Sequence, residues 1–121
     1  MRASPVVVIT GAARGIGFGI ATCFAEKKAR IVVADGNAEE AEKAAARLKK
    51  AGAKGALGLR CDITDRASVK TMMDATVRKF GRIDVLVNNA GICPFVEVMK
   101  MTPAVWNRTL DVNLTGAFQC T

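Results

Sequence analysis

The chain contains no histidine and no tyrosine among its 121 residues. The side chains that most readily exchange protons near neutral pH are therefore missing, which leaves carboxylates, lysines and thiols for acid–base work. The lack of histidine also argues against a zinc centre, because Cys23, Cys61, Cys93 and Cys120 share no Cys-x-x-Cys spacing. Reduced, partly buried thiols are the default expectation. No apolar run approaches the ~20 residues that span a bilayer, and the N-terminus lacks the apolar core of a signal peptide, so a cytoplasmic location is the expectation. Internal repeats, low-complexity tracts and linkers are absent as well.

What is present describes a globular chain, at 50% hydrophobic residues, and no more than one ordinary domain by length. The formal charge of +7 raises the question of nucleic acid, and its distribution answers it. Lys27, Lys28, Lys49, Lys50, Arg78 and Lys79 fall in the last turns of predicted helices, where cations complement the helix dipole. No aromatic residue is interleaved with them. Solvated helix ends are the expectation, with a nucleic-acid surface the weakest of the functional readings.

Apolar runs of buried-strand type alternate with helical patterns, the signature of a parallel sheet with crossover helices on its faces. Strands are expected at Val6 to Thr10, Ile31 to Asp35, Ala56 to Cys61 and Asp84 to Asn88, the last reading as covered on both faces. Helices are expected from about Gly15 to Lys28, Ala38 to Ala51 and Arg66 to Phe80, and onward from Pro103 behind a Thr102 cap. The second helix opens on a capping-box pattern, Asn37 with Glu40, and carries a narrow stripe of Ala41, Ala44, Ala45 and Leu48. The third presents Val69, Met72, Met73, Val77 and Phe80 to the core.

The first strand runs into Thr10-Gly11-Ala12-Ala13-Arg14-Gly15-Ile16-Gly17 and then directly into helix. Closely spaced glycines at that junction bring backbone N–H groups and the positive end of a helix dipole together, which suits a phosphate group. Gly11 is suited to the tight turn, Gly15 to backbone approach by a pyrophosphate and Gly17 to close helix packing. These are the three tasks of the G-x-G-x-x-G loop at a different spacing. The second strand ends in Asp35, placed to accept from adenosine ribose hydroxyls and to repel a 2′-phosphate. That favours NAD over NADP, with Arg14 the dissenting cation. Asp35, Gly36 and Asn37 equally suit a turn and helix start, and both uses are compatible.

Together, Thr10 to Gly17, Asp35, Asp62 with Ile63, Asn88 to Gly91, and Asp111-Val112-Asn113-Leu114-Thr115-Gly116 resemble the N-terminal half of the short-chain dehydrogenase/reductase family over essentially the whole chain. The resemblance implies a doubly wound parallel α/β sheet, a three-layer Rossmann fold whose family strand order 3-2-1-4-5-6-7 stops here after the fourth strand and its helix. It implies an NAD-binding domain over residues 1–121, without a C-terminal catalytic half. It implies hydride transfer between a nicotinamide cofactor and a small alcohol or carbonyl substrate, with a homo-oligomer as the complete form, joined through the last helix (Val105, Trp106, Leu110, Leu114 and Phe118).

By the same resemblance Asp62 would accept from the adenine amino group, with Ile63 closing that pocket; a strand-end turn is the plainer reading of Asp62. Asn89, Ala90 and Gly91 would line the cofactor, Gly91 admitting the ribose near the nicotinamide, and Val112 would form an apolar wall. Asn88 reads as a structural brace. Asn113 is the catalytic candidate: the family's Asn there holds, through a local helix distortion, a water in a proton relay from the active-site lysine. A buried hydrogen bond to a neighbouring carbonyl is its alternative. The family's serine, tyrosine and lysine have no counterparts here, since Ser4 and Ser68 lie elsewhere and tyrosine is absent. The chain alone is accordingly expected to be inactive and cut within a helix. A non-catalytic dinucleotide-binding module is the other reading.

Overall fold

The computed structural model describes residues 4–121. Strands β1 (Val6–Thr10), β2 (Arg30–Asp35), β3 (Gly55–Arg60) and β4 (Val85–Val87) form one sheet in the order β3-β2-β1-β4, with every pairing parallel. Helices α1 (Gly15–Glu26), α2 (Ala38–Lys50), α3 (Arg66–Phe80), α4 (Pro103–Leu110) and α5 (Gly116–Cys120) complete a three-layer arrangement. The doubly wound α/β expectation holds.

Two cores follow from the strict alternation of side chains along the strands. Val7, Ile9, Ile31 and Val33 pack with Ala21, Ala25, Ala41, Ala44, Ala45 and Leu48 beneath α1 and α2. Val8, Val32 and Ala34 face the other way, onto Val69, Met72, Val112 and Cys120 from α3 to α5. The alanine stripe of α2 is buried as expected, and it lets the helix lie low on β3. A Cβ at Gly58 would run into the Ala41 backbone.

Helix caps explain the boundaries. Asn37 Oδ1 accepts from Glu40 N at 3.1 Å, Asp65 Oδ1 from Ala67 N at 3.0 Å and Thr102 Oγ1 from Val105 N at 3.3 Å. Helix α3 stops at Gly81, which takes the left-handed conformation at φ 84°.

The structure corrects several boundaries and faces. Helix α1 ends at Glu26, so Lys27 and Lys28 lie past its last turn, whereas Lys49, Lys50, Arg78 and Lys79 do sit in last turns. In α3 the buried position is Thr76, whose hydroxyl donates to the Met72 carbonyl at 2.9 Å, while Val77 is 48% exposed. The hydroxyl satisfies itself within its own helix and so can take a core position that its composition does not suggest.

Strand β4 is shorter than expected and only half-buried, because among the described residues β1 is its only neighbour in the sheet. Asp84 stands outside it as a clip, its carboxylate accepting from Val6 N and pairing with Arg82 at 2.8 Å each. The last helical stretch is also not uniform. A π-helical turn, Asp111–Thr115, separates α4 from α5, and a 3₁₀ turn, Val98–Lys100, precedes them.

All four cysteines are free, with Cys61 and Cys120 buried and Cys23 and Cys93 exposed. Burial pushes the Cys120 thiol up to about 11, with the neighbouring Cys61 adding to the effect, and burial raises Cys61 as well. Thiolate is the reactive form, so the buried pair is inert near neutral pH. Titration with a disulfide dye at pH 8 should register the two exposed thiols in the folded chain and all four in denaturant.

Candidate functional site

A cleft of about 490 Å³ opens over the C-terminal ends of β1, β2 and β3 and the segment that follows β4. It lies where the strand order reverses between β1 and β4, the position at which open parallel sheets hold their ligands. Gly11, Arg14, Asp35, Asp62, Ile63, Asn89, Ala90, Gly91 and Val112 all line it.

The glycine turn is built by close approach. Gly11 has φ +64°, and a Cβ there would lie 2.9 Å from Ala90 Cα. Gly17 starts α1 tight against the turn, where a Cβ would lie 2.5 Å from both Asn89 Nδ2 and the Gly11 carbonyl. Gly15 is different: its φ of +60° favours glycine, and apart from its chain neighbours and its own helix backbone no heavy atom of the described residues stands within 4 Å of where its Cβ would be. The turn's outer face is therefore open. Helix α1 has no side-chain N-cap and no acidic residue in its first turn, unlike α2 with its Asn37 cap and acidic start. Its first N–H groups remain to be satisfied from outside the helix. Ile16, 78% exposed, Gly15 and Gly17 do not line the cleft.

One knot of hydrogen bonds ties this turn to the end of β4. Thr10, 2% exposed, accepts at Oγ1 from Asn89 N at 3.1 Å and Ala90 N at 3.0 Å. Asn89 Nδ2 donates back to the carbonyls of Thr10, at 3.0 Å, and Gly11, at 3.1 Å. Asn89 is thus the brace of the loop while also lining the cleft. Asn88, outside the cleft lining, donates to Thr121 Oγ1 at 3.1 Å and so ties the end of β4 to the residue after α5.

Asp35 has both structural and open capacity. Its Oδ2 accepts from Ala13 N at 3.3 Å and its Oδ1 from Asn37 N at 3.2 Å, so it fixes the glycine turn and starts the next helix. An ionised carboxylate accepts about four hydrogen bonds, which leaves capacity toward the cleft. At Gly36 beside it, no heavy atom of the described residues other than its chain neighbours lies within 4 Å of a Cβ position.

Asp62 does form the strand-end turn, accepting at Oδ1 from Thr64 N at 3.0 Å and Thr64 Oγ1 at 2.6 Å. These bonds hold its carboxyl below the usual carboxylate range, with smaller help from Arg108 and Arg60. A depressed folded-state value means that its contribution to stability is complete above the ordinary value of 3.8 and is lost as pH falls through the folded value.

Asn113 is exposed rather than buried. It sits in the π-helical turn, accepts at Oδ1 from Ile92 N and donates through Nδ2 to the Ile92 carbonyl, each at 2.8 Å. This reciprocal pair bridges the helix to the segment after β4. A Cβ at Gly91 would lie 3.2 Å from Asn113 Oδ1, so the small residue there serves this bridge.

Arg60, Thr64 and Arg108 also line the cleft and were not foreseen as site residues. Only the position of Arg108 four residues before Val112, on one helical face, carried a signal.

The cleft residues suit a dinucleotide: an open glycine turn at an uncapped helix start, a strand-end carboxylate with spare acceptors, and apolar Ile63 and Val112 nearby. Residues 5–121 match the family described as short chain dehydrogenase. The chain belongs to that family. It is 46% identical over 114 residues to the D-threitol dehydrogenase of Mycolicibacterium smegmatis, covering 93% of this chain and 43% of that protein. It is 43% identical over 119 residues to the cis-4-hydroxycyclohexanecarboxylate dehydrogenase of Sinomonas cyclohexanicum, covering 98% and 47% respectively. A crystal structure of a short-chain type dehydrogenase/reductase from Mycobacterium marinum superimposes with a TM-score of 0.92 at 33% identity, over 98% of this chain and 46% of that one. The chain therefore spans less than half the length of these relatives.

The knot makes a direct prediction. Thr10→Val keeps the shape but leaves the N–H of Ala90 without its acceptor and that of Asn89 with the Val87 carbonyl alone, at 3.1 Å, and Asn89→Ala removes the side-chain donor to the Thr10 and Gly11 carbonyls. Each should lower unfolding free energy by about 1–3 kcal/mol in urea titrations.

Proposed function

We propose that this chain is the dinucleotide-binding portion of an NAD-linked oxidoreductase acting on a small alcohol or carbonyl compound. The observation that carries the reading is the cleft itself, with Gly11 and Arg14, the residue before α1, at one wall, Asp35 at the second strand end and Asp62 with Ile63 at the third. In this reading the unsatisfied N–H groups at the start of α1 take the pyrophosphate, because backbone donors and the helix dipole favour an anion there. Asp35 takes the adenosine ribose hydroxyls, Asp62 and Ile63 hold the base, and Asn89 to Gly91 lie along the path to the nicotinamide. Bound there, the cofactor supplies hydride donation and acceptance.

Asn113 keeps a place in proton movement. Ile92 occupies one acceptor and one donor position of its amide, which leaves a lone pair and an N–H for a relayed water. The complete protein is read as a homo-oligomer, this chain matching less than half the length of the relatives. The exposed Trp106, Leu110, Leu114 and Phe118 support that reading. No helix among the described residues is long and apolar enough to cross a membrane. The four free thiols support a reducing, cytoplasmic setting. A non-catalytic dinucleotide-binding module is the second reading, favoured by the absence of tyrosine from this chain.

Calorimetric titration with NAD and NADP tests the proposal. NAD should bind more tightly, because the Asp35 carboxylate stands where a 2′-phosphate would sit. Asp35→Ser should narrow the preference by about tenfold, or ~1.4 kcal/mol. Gly15→Val should weaken both ligands by closing the open face of the turn. Tighter binding of NADP by the unaltered chain would refute the ribose assignment and promote Arg14.

A further inference from the structure

Arg108 is the cleft residue that neither the glycine turn nor the strand-end acids explain. It lies on α4 four positions before Val112, so the two side chains leave the same helical face about one turn apart. Both line the cleft beside Arg60, Asp62 and Ile63. Among the described residues the Arg108 guanidinium makes no hydrogen bond, ion pair or ring contact, and the residue is exposed. Asp62 feels its charge but makes no hydrogen bond or ion pair with it, because the bonds to that carboxylate come from Thr64. A planar cation thus stands free at the mouth of a subsite that has apolar walls at Ile63 and Val112 and an acceptor at Asp62.

Those surroundings fit a flat heteroaromatic ring: an edge donor for Asp62, and faces for the apolar walls and the cation. A guanidinium is planar and weakly hydrated, and it stacks on aromatic faces, where an ammonium acts only as a point charge. We propose that Arg108 forms the outer wall of the base subsite, laying its guanidinium against the face of the purine whose edge meets Asp62. This inference rests on the dinucleotide reading above. Arg108 contributes affinity for the ring itself, whereas Asp62 contributes the choice of exocyclic group.

The two contributions separate with two probes, NAD and nicotinamide hypoxanthine dinucleotide, titrated calorimetrically into the chain and its variants. Arg108→Ala should weaken both ligands by about fivefold and leave their affinity ratio unchanged. Arg108→Lys should do no better than alanine, because it keeps the charge and loses the plane. Unchanged melting temperatures establish that the variants are folded. Recovery of full affinity by Arg108→Lys would overturn the stacking role, and so would an alanine variant that binds both ligands as the parent does. If the unaltered chain binds neither probe, the dinucleotide reading falls and this inference falls with it.

Discussion

The hydroxyl of Thr10 and the side-chain amide of Asn89 hold together the two segments from which the cleft is made. Thr10 terminates the central strand and is almost fully buried, so its oxygen can serve as a common acceptor for the two N–H groups of Asn89 and Ala90. Asn89 returns the favour at the Thr10 and Gly11 carbonyls. Without this exchange the turn after β1 and the segment after β4 have no polar reason to lie in contact, and the space between α1 and that segment is undefined. The absence of a Cβ at Gly11 and Gly17 is the steric condition for it, since either Cβ would press on Asn89 or Ala90.

From that knot the rest of the cleft extends in two directions. On the sheet side Asp35 reaches back to Ala13 N and forward to Asn37 N, so one carboxylate fixes both the glycine turn and the start of α2. On the helix side Asn113 grips both backbone groups of Ile92 from within a π-helical turn. The wider turn brings Val112 into the core beneath the cleft while Asn113 stays exposed. Such single π turns recur at functional sites, where they re-aim a side chain at the cost of regular hydrogen bonding. Gly116, one turn on, lets the helix close on Ile63, whose Cδ1 would lie 2.6 Å from a Cβ there.

What could be read from the sequence is what is local. The strand periodicity, the alanine stripe of α2, the Asn37 and Thr102 caps and the glycine turn each announce themselves within a few residues, and each stands in the structure as expected. That Asn89 also braces the glycine turn could not be read, because which of two adjacent amides faces Thr10 is decided by the exit direction of β4. Thr76 displaces Val77 from the core for a similar reason, since the packing angle of α3 and a hydroxyl bonded to its own helix are tertiary facts. The partial exposure of β4 reflects its edge position, which its apolar Val85-Leu86-Val87 run does not reveal. Arg60 and Arg108 enter the cleft from elements far apart in the chain, and only their convergence marks them.

The central claim is that the open glycine turn at the start of α1 and the ends of β2 and β3 form one binding surface for a dinucleotide. Backbone amide NMR of the chain, titrated with NAD, reads that surface residue by residue. The account predicts the largest shifts at the amides of Ala12 to Gly17, at Gly36 and at Ile63 and Thr64, with smaller ones from Ala90 to Ile92. Shifts confined to the exposed face of α4 and α5, or absent from the glycine turn at saturating NAD, would contradict it.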